Sequence, residues 1–403
     1  MKSITVFVML DACRPDYINK RTTPFMHNLA INGFSGSVKP TFGFEPDAAY
    51  LAGRYPDEAD GGAQFWHMPE KSPFGFTRLL PESLNHLPEL PQKILRKIII
   101  WIAKQNFKSP NLSTARIPFH LLNQFSPAMS HHLDHPEFLN EETLFDLLRK
   151  FGKPYLFHAA PDFKVTMKAV LARAKNELFQ PCEFAFFHIG NLDRVGHKYG
   201  PASPQITKEL KHVDKGLEYL YADLKHRFNK INLVIMGDHG MMEVNHHLNL
   251  LSQFKKHHLV NGRDFLYILD STMARFWFNN NAAQKTVESI LSGIAGGRIL
   301  TPEDHHFYHL NWPHNRFGDL IFLTDPGTLI FPNHFQRNAP VKGMHGYDPE
   351  SKGQHAALII NGPEILPQQK AKPSDMRRVF PTLCTLLKLD RPDSNGLESL
   401  VIS

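Results

Sequence analysis

The sequence predicts an α/β protein whose central, mostly parallel sheet is flanked by helices and carries an inserted cap. Apolar runs of strand length alternate with helical patterns along the chain. Several of these runs end in carboxylate or imidazole side chains, as expected where strands meet a ligand site. The composition changes between 65 and 151, where prolines and histidines are frequent. With 403 residues available, we divide the chain into a core of 1–64 and 152–403 and an inserted cap of 65–151.

The core elements follow one another in the order that this fold class requires. The apolar runs predict strands at 4–10, 154–158, 184–189, 231–236, 320–324 and 356–360. A helix is predicted over 24–30, with Thr23 as its N-cap and proline at its first position. A second is expected at 47–53, and the apolar spacing from Ile206 to Leu224 predicts a third that covers one face of the sheet.

The cap contains the most apolar helical stretch of the chain, at 94–104. Two interpretations stay open: a helix buried in the cap, or a helix that lies on a membrane surface with its flanking Lys and Arg residues. The stretch is too short to span a bilayer. We expect the cap to set substrate choice and to supply no metal ligand.

Composition and charge indicate an ordinary globular protein with a mild positive field. Hydrophobic residues make up 42% and charged residues 21%, with a net charge of +6 and a pI near 9.0. The basic residues are scattered and form no recognised nucleic-acid motif, so we do not predict duplex binding. The positive charge favours an anionic small-molecule substrate.

Cysteine usage and the N-terminus predict a cytoplasmic protein. Cys13, Cys182 and Cys384 lie far apart in the sequence, and an odd count without a pairing pattern suits a reducing compartment. Met1 leads almost directly into the first strand, with no export signal, and no apolar run is long enough to cross a membrane.

Ligand-type side chains occur in four short segments, three of them directly after predicted strands. The adjacent Asp238-His239 pair emerges from a buried strand before a glycine, where two ionisable groups are costly unless they bind something. Together the segments supply three aspartates and three histidines: Asp11, Asp193, His197, Asp238, His239 and His345. These suffice for two metal ions with three ligands each, and the mixed donors suit Zn²⁺ or Mn²⁺.

These segments, in this order and spacing, resemble the alkaline phosphatase superfamily and, within it, the type I phosphodiesterase/nucleotide pyrophosphatase family. The resemblance extends from Val6 to about Leu389, apart from 65–150, and includes Gly53-Arg54-Tyr55-Pro56. It implies an alkaline-phosphatase-like fold. It further implies one zinc held by Asp193, His197 and His345 and another held by Asp11, Asp238 and His239.

The chain departs from that family at the nucleophile. Enzymes of that family attack phosphorus with the hydroxyl of a Thr or Ser. The corresponding position here is Gly43, which has no hydroxyl. Three interpretations stay open. Thr41 serves as the catalytic nucleophile from a shifted loop; or Glu45 or Asp47 completes the metal shell while metal-bound hydroxide attacks; or the chain binds its ligand without catalysis.

We therefore predict a metal-dependent phosphodiesterase or nucleotide pyrophosphatase that acts on a nucleotide-like or lipid-like ester. A phosphomonoesterase or phosphotransferase of the same superfamily and a catalytically silent metal- and phosphate-ligand-binding protein are the alternatives. A sulfatase is disfavoured, because Cys13-Arg14-Pro15 has the wrong order for the Cys-x-Pro-x-Arg motif of those enzymes. The pattern leaves the natural substrate, the native metal and the oligomeric state open.

Overall fold

The structure is a computed structural model of the chain. It describes residues 2–107, 109, 112–128, 131–159, 165–178, 181–336, 338–367, 372–390 and 396–401.

The strands of the described residues are, in chain order, β1 (Ser3–Leu10), β2 (Phe34–Lys39), β3 (Phe65–His67), β4 (Phe125–Pro127), β5 (Tyr155–His158), β6 (Phe184–Ile189), β7 (Lys230–Met236), β8 (Met242–Glu243), β9 (His246–Leu248), β10 (Phe265–Leu269), β11 (Met273–Phe278), β12 (Gly297–Ile299), β13 (Leu320–Thr324), β14 (Thr328–Ile330), β15 (Gly343–Met344), β16 (Ala356–Asn361) and β17 (Ser374–Asp375).

The α-helices of the same residues are α1 (Pro24–Ile31), α2 (Asp47–Ala52), α3 (Glu89–Ala103), α4 (Leu144–Lys150), α5 (Met167–Glu177), α6 (Asn191–Tyr199), α7 (Pro204–Lys225), α8 (Leu250–Lys256), α9 (Asn281–Ser292), α10 (Pro302–Phe307) and α11 (Val379–Leu387). No helix in the described ranges is both long enough and apolar enough to cross a membrane.

The larger sheet confirms the predicted fold class. Its seven strands run in the order β17-β2-β16-β7-β1-β6-β5. All pairs are parallel except those of β16, which is antiparallel to β2 and β7. Alternate residues of each strand face opposite sides, so Phe7 and Met9 pack beneath α2, α4 and α11, whereas Val6 and Val8 pack against α1, α5 and α7.

Helix α1 begins as predicted, with Thr23 at the N-cap and Pro24 at the first position, but its first N–H groups are not capped by Thr23. The hydroxyl of Thr23 makes no cap hydrogen bond, because it donates to the carbonyl of Tyr17. The free N–H groups of Phe25 and Met26 instead donate to the carboxylate of Asp214 on α7. A distant carboxylate thus satisfies donors that local capping leaves unpaired.

A second sheet was not predicted. Its four antiparallel strands run in the order β10-β11-β13-β12. The strand predicted at 320–324 is correct, but it belongs to this sheet and does not continue the parallel one. The physical reason is its partner: β13 pairs antiparallel with β11, with Phe276 opposite Leu320. An apolar run alone does not distinguish these two settings.

The segment predicted as a cap packs in two places. Its aromatic and aliphatic residues Phe74, Ile99 and Phe119 pack against β10 and β11 of the smaller sheet. Helix α4 packs in the core of the larger sheet. The division at 65 and 151 stays a prediction.

The apolar stretch at 94–104 lies mostly in α3 and is not a buried helix. Ile99 and Ala103 are buried, but Ile94 and Trp101 are 52% and 66% exposed. The helix lies on the surface of the smaller sheet and its loops, so it has only one face to bury.

Candidate metal centre

The ligand-type side chains lie at one edge of the larger sheet because its parallel strands end there. Asp11 follows β1, α6 follows β6 after one glycine, and Asp238 follows β7 after one glycine. His345 comes directly after β15, which pairs with β8 near the same edge. The carboxyl ends of adjacent parallel strands converge, and all six predicted ligands line one cavity of about 550 Å³.

One half of the centre consists of Asp11, Asp238 and His239. The Nε2 atom of His239 lies 3.5 Å from Oδ1 of Asp11 and 3.6 Å from Oδ2 of Asp238. The other carboxylate oxygen of Asp238 accepts hydrogen bonds from the backbone N–H groups of Ala12 and His239. These bonds orient Oδ2 toward the imidazole, and ligand atoms around one tetrahedral zinc lie roughly as far apart, at about 3.3 Å.

The other half consists of Asp193, His197 and His345. Asp193 and His197 lie at i and i+4 on α6, so they share one face of the helix. The Oδ1 atom of Asp193 lies 3.0 Å from Nε2 of His197 and 3.8 Å from Nε2 of His345. The two halves are adjacent, because the rings of His239 and His345 stack with their centroids 3.6 Å apart.

Backbone carbonyls set the tautomers of two of these histidines. Nδ1 of His197 lies 2.8 Å from the carbonyl oxygen of Gly343, and Nδ1 of His239 lies 2.8 Å from that of Gly240. Because Nδ1 donates its proton to a carbonyl, the lone pair of Nε2 is left facing the cavity. This arrangement is typical of histidines that bind metals.

The electrostatics of the centre fit a bound cation. Burial and the neighbouring Asp238 raise the pKa of Asp11 well above its ordinary value, and its buried Oδ1 accepts no hydrogen bond from the described part of the chain. Burial lowers the pKa of His197, but the Asp193 carboxylate outweighs this and raises it to about 9. Burial and His239 hold the pKa of His345 well below its ordinary value. Two divalent ions would neutralise the carboxylates and occupy the imidazole lone pairs.

His188 is a further residue of the centre that sequence reasoning missed. Its Nε2 lies 3.5 Å from Oδ2 of Asp11, and the ligand atoms of His188, Asp11 and Asp238 lie within 4.8 Å of one another. A signal was available, since His188 stands in a strand buried on both faces. The strand was predicted from its apolar residues alone, and the imidazole within it was not considered as a ligand.

The loop that should carry the nucleophile presents carboxylates to the cavity. Glu45 and Asp47 line it, whereas Thr41 is buried and is not among the lining residues. Gly43 has φ +106°, and a Cβ there would meet the carbonyl oxygen of Gly62 at 2.7 Å. The backbone at residue 43 therefore requires glycine.

The two carboxylates of this loop differ in their surroundings. Burial and Asp47 raise the pKa of Glu45 to about 8. Burial raises the pKa of Asp47 to about 6, while a hydrogen bond donated by the Tyr50 hydroxyl opposes the shift. Asp47 also interacts electrostatically with His188 and Asp238, so it faces the metal-ligand residues.

The opposite wall of the cavity comes from the hairpin of the smaller sheet and from residues at 335–336 and 338–341. Asp270 and Ser271 lie in the turn between β10 and β11, and Phe335 and Gln336 lie beside them. The Ser271 hydroxyl donates to Oε1 of Gln336. None of the described residues of 65–151 is among those that line this cavity.

Comparison with known proteins decides the family. The family model of the type I phosphodiesterase/nucleotide pyrophosphatase matches residues 5–348. The chain belongs to this family. The resemblance drawn from the six ligand residues is thereby confirmed, and with it the alkaline phosphatase superfamily.

Several relatives are about a quarter identical to this chain over the aligned residues. Family member 7 of the ectonucleotide pyrophosphatase/phosphodiesterases of Rattus norvegicus is 27% identical over 216 residues, covering 52% of this chain and 48% of the relative. The bis(5'-adenosyl)-triphosphatase of Xenopus laevis is 24% identical over 221 residues, covering 53% and 46%. The chain thus spans about half the length of these relatives.

Solved structures confirm the fold over nearly the whole length of this chain. Human ectonucleotide pyrophosphatase/phosphodiesterase 5 superposes with a TM-score of 0.71 at 18% identity, covering 98% of this chain and 97% of that chain. An inactive variant of the murine protein in complex with AMP gives a TM-score of 0.69 at 17% identity, covering 97% and 96%.

Proposed function

We propose that this protein is a metal-dependent phosphodiesterase or nucleotide pyrophosphatase with a dinuclear centre. The observation that carries the proposal is the convergence of six ligand-type side chains from separate segments of the chain on one cavity. Asp193, His197 and His345 would hold one ion. Asp11, Asp238 and His239 would hold the other, with zinc preferred over manganese on the donor set.

The bound ions would polarise the phosphoryl oxygens and lower the pKa of water at the centre. The protein's own residues position the substrate and move the proton. Glycine stands at position 43, and Thr41 is not among the residues that line the cavity. We therefore expect water, and not a side chain of this loop, to attack phosphorus, while the P–O bond to the leaving group breaks and the leaving oxygen takes the electron pair. Asp47 accepts the proton from that water, supported by its raised pKa and its position beside His188 and Asp238.

The substrate is an anionic phosphodiester with a nucleotide-like or lipid-like group. The positive net charge of the chain attracts anions. The wall opposite the centre offers aromatic surface at Phe335 and hydrogen-bonding groups at Ser271 and Gln336. The bound AMP of the murine relative supports a nucleotide ester as the first substrate to test.

Turnover of bis-p-nitrophenyl phosphate against p-nitrophenyl phosphate, with added Zn²⁺ or Mn²⁺, tests this function. We expect the diester to be hydrolysed faster and Asp238→Ala to abolish turnover. Preference for the monoester would favour a phosphomonoesterase instead. Metal binding without turnover of any phosphate ester would favour the silent binding protein.

We also propose that the protein works in a reducing compartment such as the cytoplasm. All three cysteines are buried and free, which is usual for reduced proteins. Fractionation of the native cells with an antibody to the protein would test this, and recovery from the medium or the periplasm would contradict it.

A further inference from the structure

An unpartnered apolar stripe runs along α3. Leu90, Ile94, Ile98 and Trp101 follow helical spacing and share one side of the helix. Their exposed fractions are 68%, 52%, 48% and 66%. Leu87, just before the helix, is also exposed. An exposed apolar stripe of this length is unusual on a soluble surface and marks an interaction site.

The stripe is separate from the face that holds α3 on the protein. Ile99 and Ala103 are buried in the cluster that covers the smaller sheet, and the partly buried Leu95 packs against the same cluster. Packing within the chain is therefore complete on that side. The second apolar face has no partner in the described part of the chain.

A row of lysines borders the stripe. Lys93, Lys97 and Lys104 share the next side of the helix, by the same helical spacing. Lys97 and Lys104 are exposed, and Lys93 pairs with Glu89 at the start of the helix. Long lysine side chains can keep their ammonium groups at a polar interface while the neighbouring apolar groups are buried.

The surrounding sequence is basic well beyond the helix. Between 90 and 133 it holds six Lys or Arg residues and no Asp or Glu. This segment alone carries a charge equal to the net charge of +6 of the whole chain. A partner that is apolar within and negatively charged at its surface is complementary to this combination, and an anionic lipid bilayer has that structure.

The stripe lies close to the catalytic cavity. Lys93 and Arg96 of α3 line a second cavity of about 420 Å³, together with Asn338. Asn338 also lines the cavity of the metal centre. The two cavities therefore share a lining residue, and α3 lies near the cavity of the metal centre.

We propose that α3 docks this protein onto the surface of an anionic bilayer, with Leu90, Ile94, Ile98 and Trp101 inserted among the lipids and the lysines at the headgroups. The helix lies in the plane of the interface and does not cross it. The docking goes beyond the proposed hydrolase function and does not depend on it.

Vesicle binding tests the proposal, and Trp101 provides the signal. The other tryptophans, Trp66, Trp277 and Trp312, are buried, so a shift of the emission to shorter wavelength on lipid addition reports on Trp101. The metal-loaded protein is titrated with vesicles of phosphatidylcholine alone and of phosphatidylcholine with phosphatidylserine. We expect the shift and co-sedimentation with the anionic vesicles, and much weaker binding to the neutral ones.

Variants separate the apolar and the electrostatic parts. Ile94→Glu/Ile98→Glu should lower partitioning by at least about 100-fold. Lys97→Glu and Lys104→Glu should each lower it roughly fivefold at low salt. Leu366→Glu and Lys285→Glu change exposed residues elsewhere and should bind like the wild type. Turnover of a soluble diester should be the same in all of them, so that loss of docking is distinguishable from loss of catalysis.

Two results would overturn the proposal. One is equal binding of the wild type and Ile94→Glu/Ile98→Glu to anionic vesicles, including the absence of binding by both. The other is a dimer in sedimentation velocity that the double variant converts to a monomer, with no vesicle binding, since the stripe would then be an interface between copies of the chain.

Discussion

At the scale of single residues, the proposed attack by water depends on Gly43, which the family resemblance places at the nucleophile position. A hydroxyl cannot be restored at this position without cost, because φ is +106° and a Cβ would press on the carbonyl oxygen of Gly62. Gly43→Thr should lower the free energy of unfolding by about 1–3 kcal/mol and yield no phosphorylated intermediate. Urea denaturation and intact-protein mass spectrometry measure the two effects.

The matched control is Gly75→Thr. A Cβ at Gly75 meets nothing within 4 Å, so the same substitution should change the free energy of unfolding by less than about 1 kcal/mol. A Gly43→Thr protein as stable as the wild type, with phosphate bound covalently at Thr, would show that the loop accepts a hydroxyl there.

The proton acceptor can be tested against the candidate hydroxyls. Asp47→Asn keeps the size of the side chain but removes the base, and kcat should fall at least about 100-fold. Thr41→Ala should keep most of the activity, since Thr41 does not line the cavity, and so should Ser271→Ala, whose hydroxyl is bonded to Gln336. If Thr41 or Ser271 were the nucleophile, its removal would cost at least about 10³-fold. Steady-state kinetics with bis-p-nitrophenyl phosphate distinguish these cases.

The hairpin of β10 and β11 holds one wall of the cavity through a buried ion pair. Nε of Arg275 lies 2.9 Å from Oδ2 of Asp270, and its NH1 group donates to the carbonyl of Phe65. Arg275→Met would leave the buried Asp270 carboxylate unpaired, so we expect a loss of about 3–5 kcal/mol in the free energy of unfolding. Thermal and urea denaturation measure it.

Arg263→Met is the matched control for Arg275→Met, because it removes an arginine from an exposed ion pair. Arg263 pairs with Asp264 at 2.8 Å, but its side chain is 66% exposed, and solvent screening leaves such a surface pair with little effect on stability. Equal losses in the two variants would mean that the Arg275 pair is no more important than a surface pair.

The elements around the metal-ligand residues could be predicted because their signals are local. The strand at 184–189 is apolar apart from His188, and the next helix presents Asp193 and His197 at i and i+4. The smaller sheet was missed because β11 pairs with β13, and the opposed residues Phe276 and Leu320 are far apart in the sequence. The same long-range packing decides which face of α3 is buried, so sequence could only leave its two interpretations open.

Prediction from sequence meets the same limit at the loop that contains Gly43, Glu45 and Asp47. The spacing to Gly53-Arg54-Tyr55-Pro56 located Gly43 and pointed to Glu45 and Asp47. It could not show that Thr41 is absent from the residues that line the cavity, because side-chain positions in an irregular loop depend on its tertiary contacts. His188 was missed for a related reason, since an imidazole inside a buried strand is visible as a ligand only beside Asp11.

At the scale of the whole molecule, the pH dependence of the Tm should differ between the metal-free and the metal-loaded protein. Glu45 changes its pKa from an ordinary 4.5 to about 8 in the folded protein, and His197 from 6.5 to about 9. Both raised values mean that the folded state holds protons that the unfolded chain releases. Their stabilisation is therefore complete below the unfolded pKa and is lost as the pH rises through the folded one.

The groups with lowered pKa values affect stability in a different pH range. His188 and His345 have lowered pKa values, so they add stability only as the pH rises toward 6.5, their ordinary value. Above this value the Tm of the metal-free protein should fall toward pH 9. Because ligands must lose protons to bind metal, added Zn²⁺ should raise the Tm more at the alkaline end. Calorimetry measures the Tm with and without Zn²⁺. A Tm of the metal-free protein that does not change with pH would contradict the expected proton binding. Glu45→Gln should partly flatten the dependence of this Tm on pH.

The central claim is that six side chains hold two metal ions, and elemental analysis of the reconstituted protein tests it most directly. After removal of excess metal, we expect about two ions per wild-type chain, and about one in either His197→Ala or Asp238→Ala, since each variant disables one of the two adjacent sites. His305→Ala, an exchange on α10 outside the cavity, should keep about two. A wild-type content well under one ion per chain, or an undiminished content in both ligand variants, would contradict the dinuclear centre.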